Sequence, residues 1–348
     1  MPVSIAPAAH RERDMLRLGY KASAEQFGPN ELLAYTLLAE KKGFDSAFIS
    51  DHFQPWRHHG GHAPFALAWL GAAGAQTSRI MLGTSVLTPT FRYHPSIVAQ
   101  CFSTLGTMFP GRVILGIGTG ESLNEVPATG IKWPEIKERF ARLREAVRLI
   151  RKLWSEEQVS FEGEFYRTEN ATIYDRPDET PPIYIAGAGP MIAKFSGRIA
   201  DGFICTSGKP MELYSEKLLP NVAAGLEAAG RKPENIDLAI ELKVSFHTDK
   251  KRALEDTRHW AALALSPEEK MSVENPLEME RLAESLSVER TASRWIVSTD
   301  PDEHVEKIRQ YVDLGFRHLI FHSPGPDQKH FIHLYAKSVL PKLRAAFS

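Results

Sequence analysis

Eight short β-rich runs, separated by longer helical patterns, constrain this chain more than any other feature. The runs are Leu16–Ala22, Ser46–Phe53, Ile80–Thr88, Arg112–Gly120, Ile183–Gly189, Gly202–Ser207, Asp237–Phe246 and His318–His322. Helical periodicity covers Asn30–Lys42, Phe65–Gln76, Pro95–Met108, Pro134–Trp154, Met191–Ala200, Met211–Ala229 and Pro301–Leu314. In the Pro134 segment, Phe140, Leu143, Val147, Ile150 and Trp154 recur at spacings of three and four, leaving Lys and Arg to the other faces. Such alternation predicts parallel strands joined by crossover helices. A doubly wound sheet would carry GxGxxG after an early strand. The nearest match, Gly116-Ile117-Gly118-Thr119-Gly120-Glu121, has glutamate at the last required glycine and follows the fourth strand. The prediction is therefore an α/β fold, a (β/α)8 TIM barrel.

A barrel of 348 residues is routinely one domain, so residues 1–348 are read as a single unit with three irregularities. Residues 1–15 form a polar N-terminal extension without the apolar core of a signal peptide. Residues 158–174, around Glu162-Gly163-Glu164, suggest a hairpin outside the barrel, and residues 251–300 read as a helical insertion. Long insertions at barrel strand ends commonly shape the active site. With 42 basic and 43 acidic residues there is no global basic field to attract nucleic acid or a membrane surface. No apolar run is long enough to span a bilayer, so the expected address is the cytoplasm. Cys101 and Cys205 sit in apolar runs and are read as buried, reduced thiols.

Barrel active sites are built from the C-terminal strand ends and the loops that follow. Polar residues collect there on five successive strands. Asp51 and His52 close the second strand, and Ser85 and Thr88 the third. Thr119, Glu121 and Asn124 close the fourth, Gly187 to Gly189 the fifth, and Thr206 and Lys209 the sixth. Taken singly, each has a plainer reading. Asp51 fits a turn cap, His52 a satisfied half-buried histidine, Trp56 lid packing and Lys209 a solvated loop charge. Glu121 differs, because it follows a glycine-rich strand end where backbone approaches a ligand closely. If strand geometry persists, Thr119 and Glu121 share a face. His58, His59 and His62 lack helical spacing and a nearby carboxylate, so no metal site is expected.

At these positions the chain resembles the coenzyme F420-dependent glucose-6-phosphate dehydrogenases of the bacterial-luciferase-like barrel superfamily. The resemblance runs from Leu18–Glu25 to the terminal helix. It is strongest in SDHFQPWRHHGGHAPF (Ser50–Phe65), LGTSVLTPTFRY (Leu82–Tyr93), GTGESLNE (Gly118–Glu125), DGFICTSGK (Asp201–Lys209) and RWIVSTDPDE (Arg294–Glu303). It implies a deazaflavin, coenzyme F420, held near Asp51, Thr88, Thr119, Gly120 and Asn124. Ser85-Val86 would form a non-proline cis peptide behind the ring. Ala188, Gly189, Met191 and Ile192 would meet the cofactor's phosphate and tail, the last two opening a helix whose free N–H groups favour an anion. Thr206, Lys209, Lys270 and Arg294 would hold the sugar phosphate. Three cations and a hydroxyl suit a phosphate monoester, nearly a dianion at neutral pH.

The resemblance further implies oxidation of glucose 6-phosphate at C1 to the lactone, with the hydride passing to C5 of the deazaflavin. One group must then accept a proton and another donate one. His52 is assigned as base toward the sugar hydroxyl and Glu121 as acid toward the ring, with Trp56 packed beside them; the reverse assignment stays open. A homodimer is implied as well. Against the family pattern, Ala188 replaces a common glycine, the stretch from Asn124 to Trp133 is one residue shorter, and the N-terminal extension is longer. Two other readings compete. One is a luciferase-like oxidoreductase, F420- or FMN-dependent, acting on an alcohol or another sugar phosphate. The other is a barrel that binds a deazaflavin without turnover.

Overall fold

Eight parallel strands close on themselves in the computed structural model, which describes residues 15–270 and 273–347. The barrel strands are β1 (Arg17–Ala22), β2 (Ser46–Ile49), β3 (Met81–Thr84), β4 (Val113–Ile117), β7 (Ile183–Ala186), β8 (Gly202–Thr206), β9 (Asp237–Phe246) and β11 (His318–His322). Closure comes from β9, which pairs with β8 on one side and β11 on the other. All eight predicted strands are present, and the fold is the expected (β/α)8 barrel. The helices between them include α1 (Pro29–Lys41), α2 (Ala66–Gln76), α3 (Pro95–Met108), α4 (Ser122–Thr129), α5 (Ile136–Ser155) and α6 (Pro190–Ile199). The extension predicted at residues 1–15 lies, apart from Met15, outside the described residues.

Inward-facing residues stack in three layers because alternate strand positions share a face. At the N-terminal end, Arg17 pairs with Asp237, which also accepts from the Tyr184 hydroxyl, while Ser46 Oγ meets His318 Nε2 at 2.7 Å. The middle layer is apolar: Phe48, Ile114, Ile204, Ala239 and Ile320. Gly83 makes room for Phe48, since a Cβ there would come within 2.5 Å of its ring. The upper layer carries Lys21, Glu241, Lys243 and His322, all buried.

Several boundaries differ from the sequence reading. Five strands end sooner: β2 at Ile49, β3 at Thr84, β4 at Ile117, β7 at Ala186 and, by one residue, β8 at Thr206, so Asp51, His52, Ser85, Thr88, Thr119 and Gly187 lie on the loops that follow. Thr119 and Glu121 do not share a strand face, because Gly120 between them turns at φ +81°. The α4 helix was not expected. It contains Pro127 and stops at Gly130, whose φ of +68° suits only a helix-ending glycine. Within residues 251–300 the helical pieces are short, and a further strand, β10 (Ile296–Ser298), pairs with the overhanging end of β9. The hairpin β5 (Val159–Glu162) and β6 (Arg167–Ala171) is tied down by Glu145 of α5, which accepts the amides of Glu164, Phe165 and Tyr166 at 2.7–2.9 Å. Cys205 is buried but Cys101 only half-buried, on a helix rather than deep in the core.

Candidate active site

A cavity of about 450 Å³ opens at the C-terminal end of the barrel. It gathers most residues singled out from sequence: Asp51, His52, Trp56, Ser85, Val86, Thr88, Thr119, Gly120, Glu121, Asn124, Ala188, Thr206, Lys209, Lys270 and Arg294. Gly189, Met191 and Ile192 are not in its lining. They stand at the start of α6, where Gly189 is the N-cap and Met191 is exposed.

One wall is built from the ends of β2 to β4. Asp51 is buried, its carboxylate bonded by Arg92 Nη2 at 2.8 Å and the Tyr93 hydroxyl at 2.9 Å. Arg92 also pairs with Glu125 at 3.1 Å, so one guanidinium holds two carboxylates. An ionised carboxylate has about four acceptor sites, so Asp51 keeps capacity for a ligand. Asn124 accepts the amides of Phe53 and Gln54 at 2.9 and 3.1 Å and sets its Nδ2 3.1 Å from His52 Nδ1, fixing the loop that carries His52. The other ring nitrogen, His52 Nε2, lies 3.2 Å from Glu25 Oε1, and Ser50 donates to the second oxygen of Glu25. Burial alone would raise Glu25; His52, Lys21 and the Ser50 hydrogen bond outweigh it and hold the carboxyl below its usual range. The Trp56 ring stands 5.9 Å from that of His52.

The cavity floor is the charged upper layer. Lys21 Nζ lies 3.0 Å from Glu241 and donates to Ser85 O at 2.8 Å. That oxygen is the carbonyl of the Ser85-Val86 peptide, which is cis, as the resemblance implied. His322 Nδ1 lies 3.4 Å from Glu241, and the Trp260 ring stands edge-on to His322 at 4.5 Å.

The far wall collects cations from three separate parts of the chain. Arg294 donates to Leu263 O at 2.8 Å, while its buried Nε has no hydrogen-bond partner among the described residues. Lys270 Nζ sits 5.1 Å above the Trp56 ring. Burial pushes Lys270 down to about 8, Glu121 pulling the other way while Arg294 and Lys209 push with it. Lys209 is lowered by burial and by Arg294. Glu121 is exposed to the cavity but is surrounded by enough protein that desolvation raises its carboxyl, against the pull of His52 and Lys270. The cations form one cluster with Glu121 at its edge.

Sequence reasoning missed Lys21, Glu25, Glu241 and Lys243. One signal was available: Glu241 and Lys243 are two apart in a strand whose alternate positions, Leu238, Ile240, Leu242, Val244 and Phe246, are all apolar, so both face the barrel interior. The histidine run also has a carboxylate after all. Glu280, far along the chain, accepts from the amides of His58 and His59 and from His59 Nδ1 at 3.0–3.1 Å. Arg57 Nε joins it at 2.9 Å, so this carboxylate is a loop anchor.

The parallel barrel with its polar mouth has the architecture of the luciferase-like proteins. A family model described as luciferase-like monooxygenase matches residues 14–318. A solved F420-dependent secondary alcohol dehydrogenase, in complex with an F420-acetone adduct, superposes with a TM-score of 0.89 at 32% identity, covering 94% of this chain and 99% of that one. The F420-dependent glucose-6-phosphate dehydrogenase of Nakamurella multipartita is 64% identical over 95% of this chain and 97% of its own length. The Microbacterium testaceum protein of that name is 61% identical over 96% and 99%. The chain belongs to the family of F420-dependent glucose-6-phosphate dehydrogenases.

Proposed function

We propose that this protein oxidises glucose 6-phosphate at C1 to 6-phosphogluconolactone, with coenzyme F420 as hydride acceptor. The observation that carries the substrate class is the cluster of Lys209, Lys270 and Arg294, three cations at one end of the cavity with no carboxylate bonded to them among the described residues. A neutral alcohol would leave that charge uncompensated, whereas a phosphate monoester matches it. Thr206, at the end of β8, adds a hydroxyl. The same point weighs against a luciferase-like oxidoreductase of unphosphorylated alcohols.

The cofactor side fits a flat ring. Gly118 and Gly120 line it, and a Cβ at Gly118 would come within 2.9 Å of the Val86 side chain that backs the space. Asp51, Ser85, Val86, Thr88, Thr119, Gly120 and Asn124 would hold the ring, and Ala188, Gly189, Met191 and Ile192 the phosphate and tail. When bound, the deazaflavin supplies the carbon that takes the hydride from C1. His52 receives the proton of the C1 hydroxyl, and the ionised Glu25 beside Nε2 neutralises the imidazolium where it forms. Glu121, whose carboxyl desolvation raises above its ordinary value, is the group placed to give a proton toward the ring. Trp56 packs against His52 and under Lys270, joining the proton-transfer end to the phosphate end.

A cytoplasmic location and a homodimer belong to the same reading. Among the described residues no helix is long and apolar enough to cross a membrane. The test is turnover of glucose 6-phosphate deuterated at C1. Oxidised deazaflavin should be consumed with a primary isotope effect and 6-phosphogluconate should accumulate as the lactone hydrolyses. Equal turnover with FMN in place of the deazaflavin would overturn the cofactor assignment.

A further inference from the structure

Lys243 stands out among the charged groups of the cavity floor, because Lys21 and Glu241 pair closely with each other while the Lys243 ammonium has only a distant partner there. Glu241 is already engaged by Lys21 at 3.0 Å, by Ser85 Oγ at 3.4 Å and by His322 at 3.4 Å. Lys243 Nζ comes no closer than 3.8 Å to Glu241 Oε1 and has no hydrogen-bond acceptor among the described residues. Yet the residue is 3% exposed and lines the same cavity as Lys209 and Arg294. Its backbone N–H is bonded by Ser207 Oγ at 2.8 Å, which locks this point of β9 beside the Thr206–Lys209 loop. Burial pushes the ammonium down to about 8; Glu241 opposes that, while Arg294, Lys21 and Lys209 add to it.

A buried ammonium repelled by three cations is costly unless something else supplies its acceptors. Groups that break local rules in this way gather where a ligand completes them. We propose that Lys243 is a fourth cation of the phosphate site, donating to the phosphate from its inner side while Lys209, Lys270 and Arg294 hold the outer side. The inference rests on the proposed phosphate-sugar reading. It adds a contact from the barrel interior, which sets how deep the phosphate sits and so where C1 lies relative to His52 and Glu121.

The test uses the deazaflavin-loaded protein and Lys243→Met, with inorganic phosphate as probe. Without phosphate, Lys243→Met should raise Tm by about 1–3 °C, since a buried charge crowded by other cations and only distantly paired is removed. With phosphate, the wild type should gain Tm by linkage and the variant should lose most of that gain. KM for glucose 6-phosphate should rise about 10- to 100-fold, the loss of one charge-assisted hydrogen bond, with a much smaller change in kcat. Lys243→Arg should restore part of both. A lower Tm without phosphate would make Lys243 a structural residue and overturn the proposal, as would an undiminished phosphate-induced gain in the variant. No phosphate-induced gain in the wild type would instead overturn the underlying reading of a phosphate site.

Discussion

On the wall formed by the ends of β2, β3 and β4, Asp51 and Glu125 share Arg92, Tyr93 seals Asp51, and Glu25 is held by His52 and Ser50. On the opposite wall, Lys209, Lys270 and Arg294 push on one another, and the buried Arg294 Nε has no hydrogen-bond partner among the described residues. The first wall is complete before any ligand arrives, so it can present His52 and a flat surface in fixed positions. The second stores an unmet demand for negative charge. Preorganisation on one side and selectivity on the other follow from how the same residue types are paired.

Substitutions separate the two. The largest effect belongs to the proton-transfer pair: His52→Ala and Glu121→Gln should each slow kcat about 10²–10⁴-fold while deazaflavin affinity changes little, measured by fluorescence titration. Normal turnover in His52→Ala would remove it from the base role. On the cationic wall, Lys270→Ala should raise KM about 10- to 100-fold with kcat nearly preserved. The reverse split would put Lys270 in the chemistry and blur the distinction.

The pH profile sharpens the same contrast. Lys270 is held near 8 in the free protein, so it is charged below that pH and neutral above it. Lys243, the proposed inner cation, is pushed down to about 8 as well, so kcat/KM for glucose 6-phosphate should fall as pH rises through about 8, and Lys270→Arg combined with Lys243→Arg, whose charges persist, should move that limb upward. A limb left in place would mean another group sets it. The smallest effect is expected at Gly120, where φ is +81° and a Cβ would come within 2.9 Å of Thr88. Gly120→Ala should cost about 1–2 kcal/mol of stability and loosen the deazaflavin several-fold without altering the phosphate dependence.

The barrel was legible because its signal is local: each strand and helix announces its own period. The first wall was largely legible too, since Asp51, His52, Thr119, Glu121 and Asn124 fall within two short stretches. The floor was not. Lys21 and Glu241 look misplaced in apolar strands until the fold brings them to 3.0 Å across 220 positions of sequence. Glu25 falls between the first strand and the first helix, where nothing local marks it until it meets His52. The unexpected strand Ile296–Ser298 forms because β9 overhangs the barrel and offers an unpaired edge, which no local pattern encodes.

The central claim is that the unpaired cations select a phosphorylated sugar. It is tested most directly by following the loss of oxidised deazaflavin absorbance with glucose 6-phosphate and with free glucose. The account predicts that kcat/KM for the phosphorylated sugar exceeds that for glucose by at least about 10³-fold, the worth of several charge-assisted contacts. Equal kcat/KM for the two sugars would contradict it.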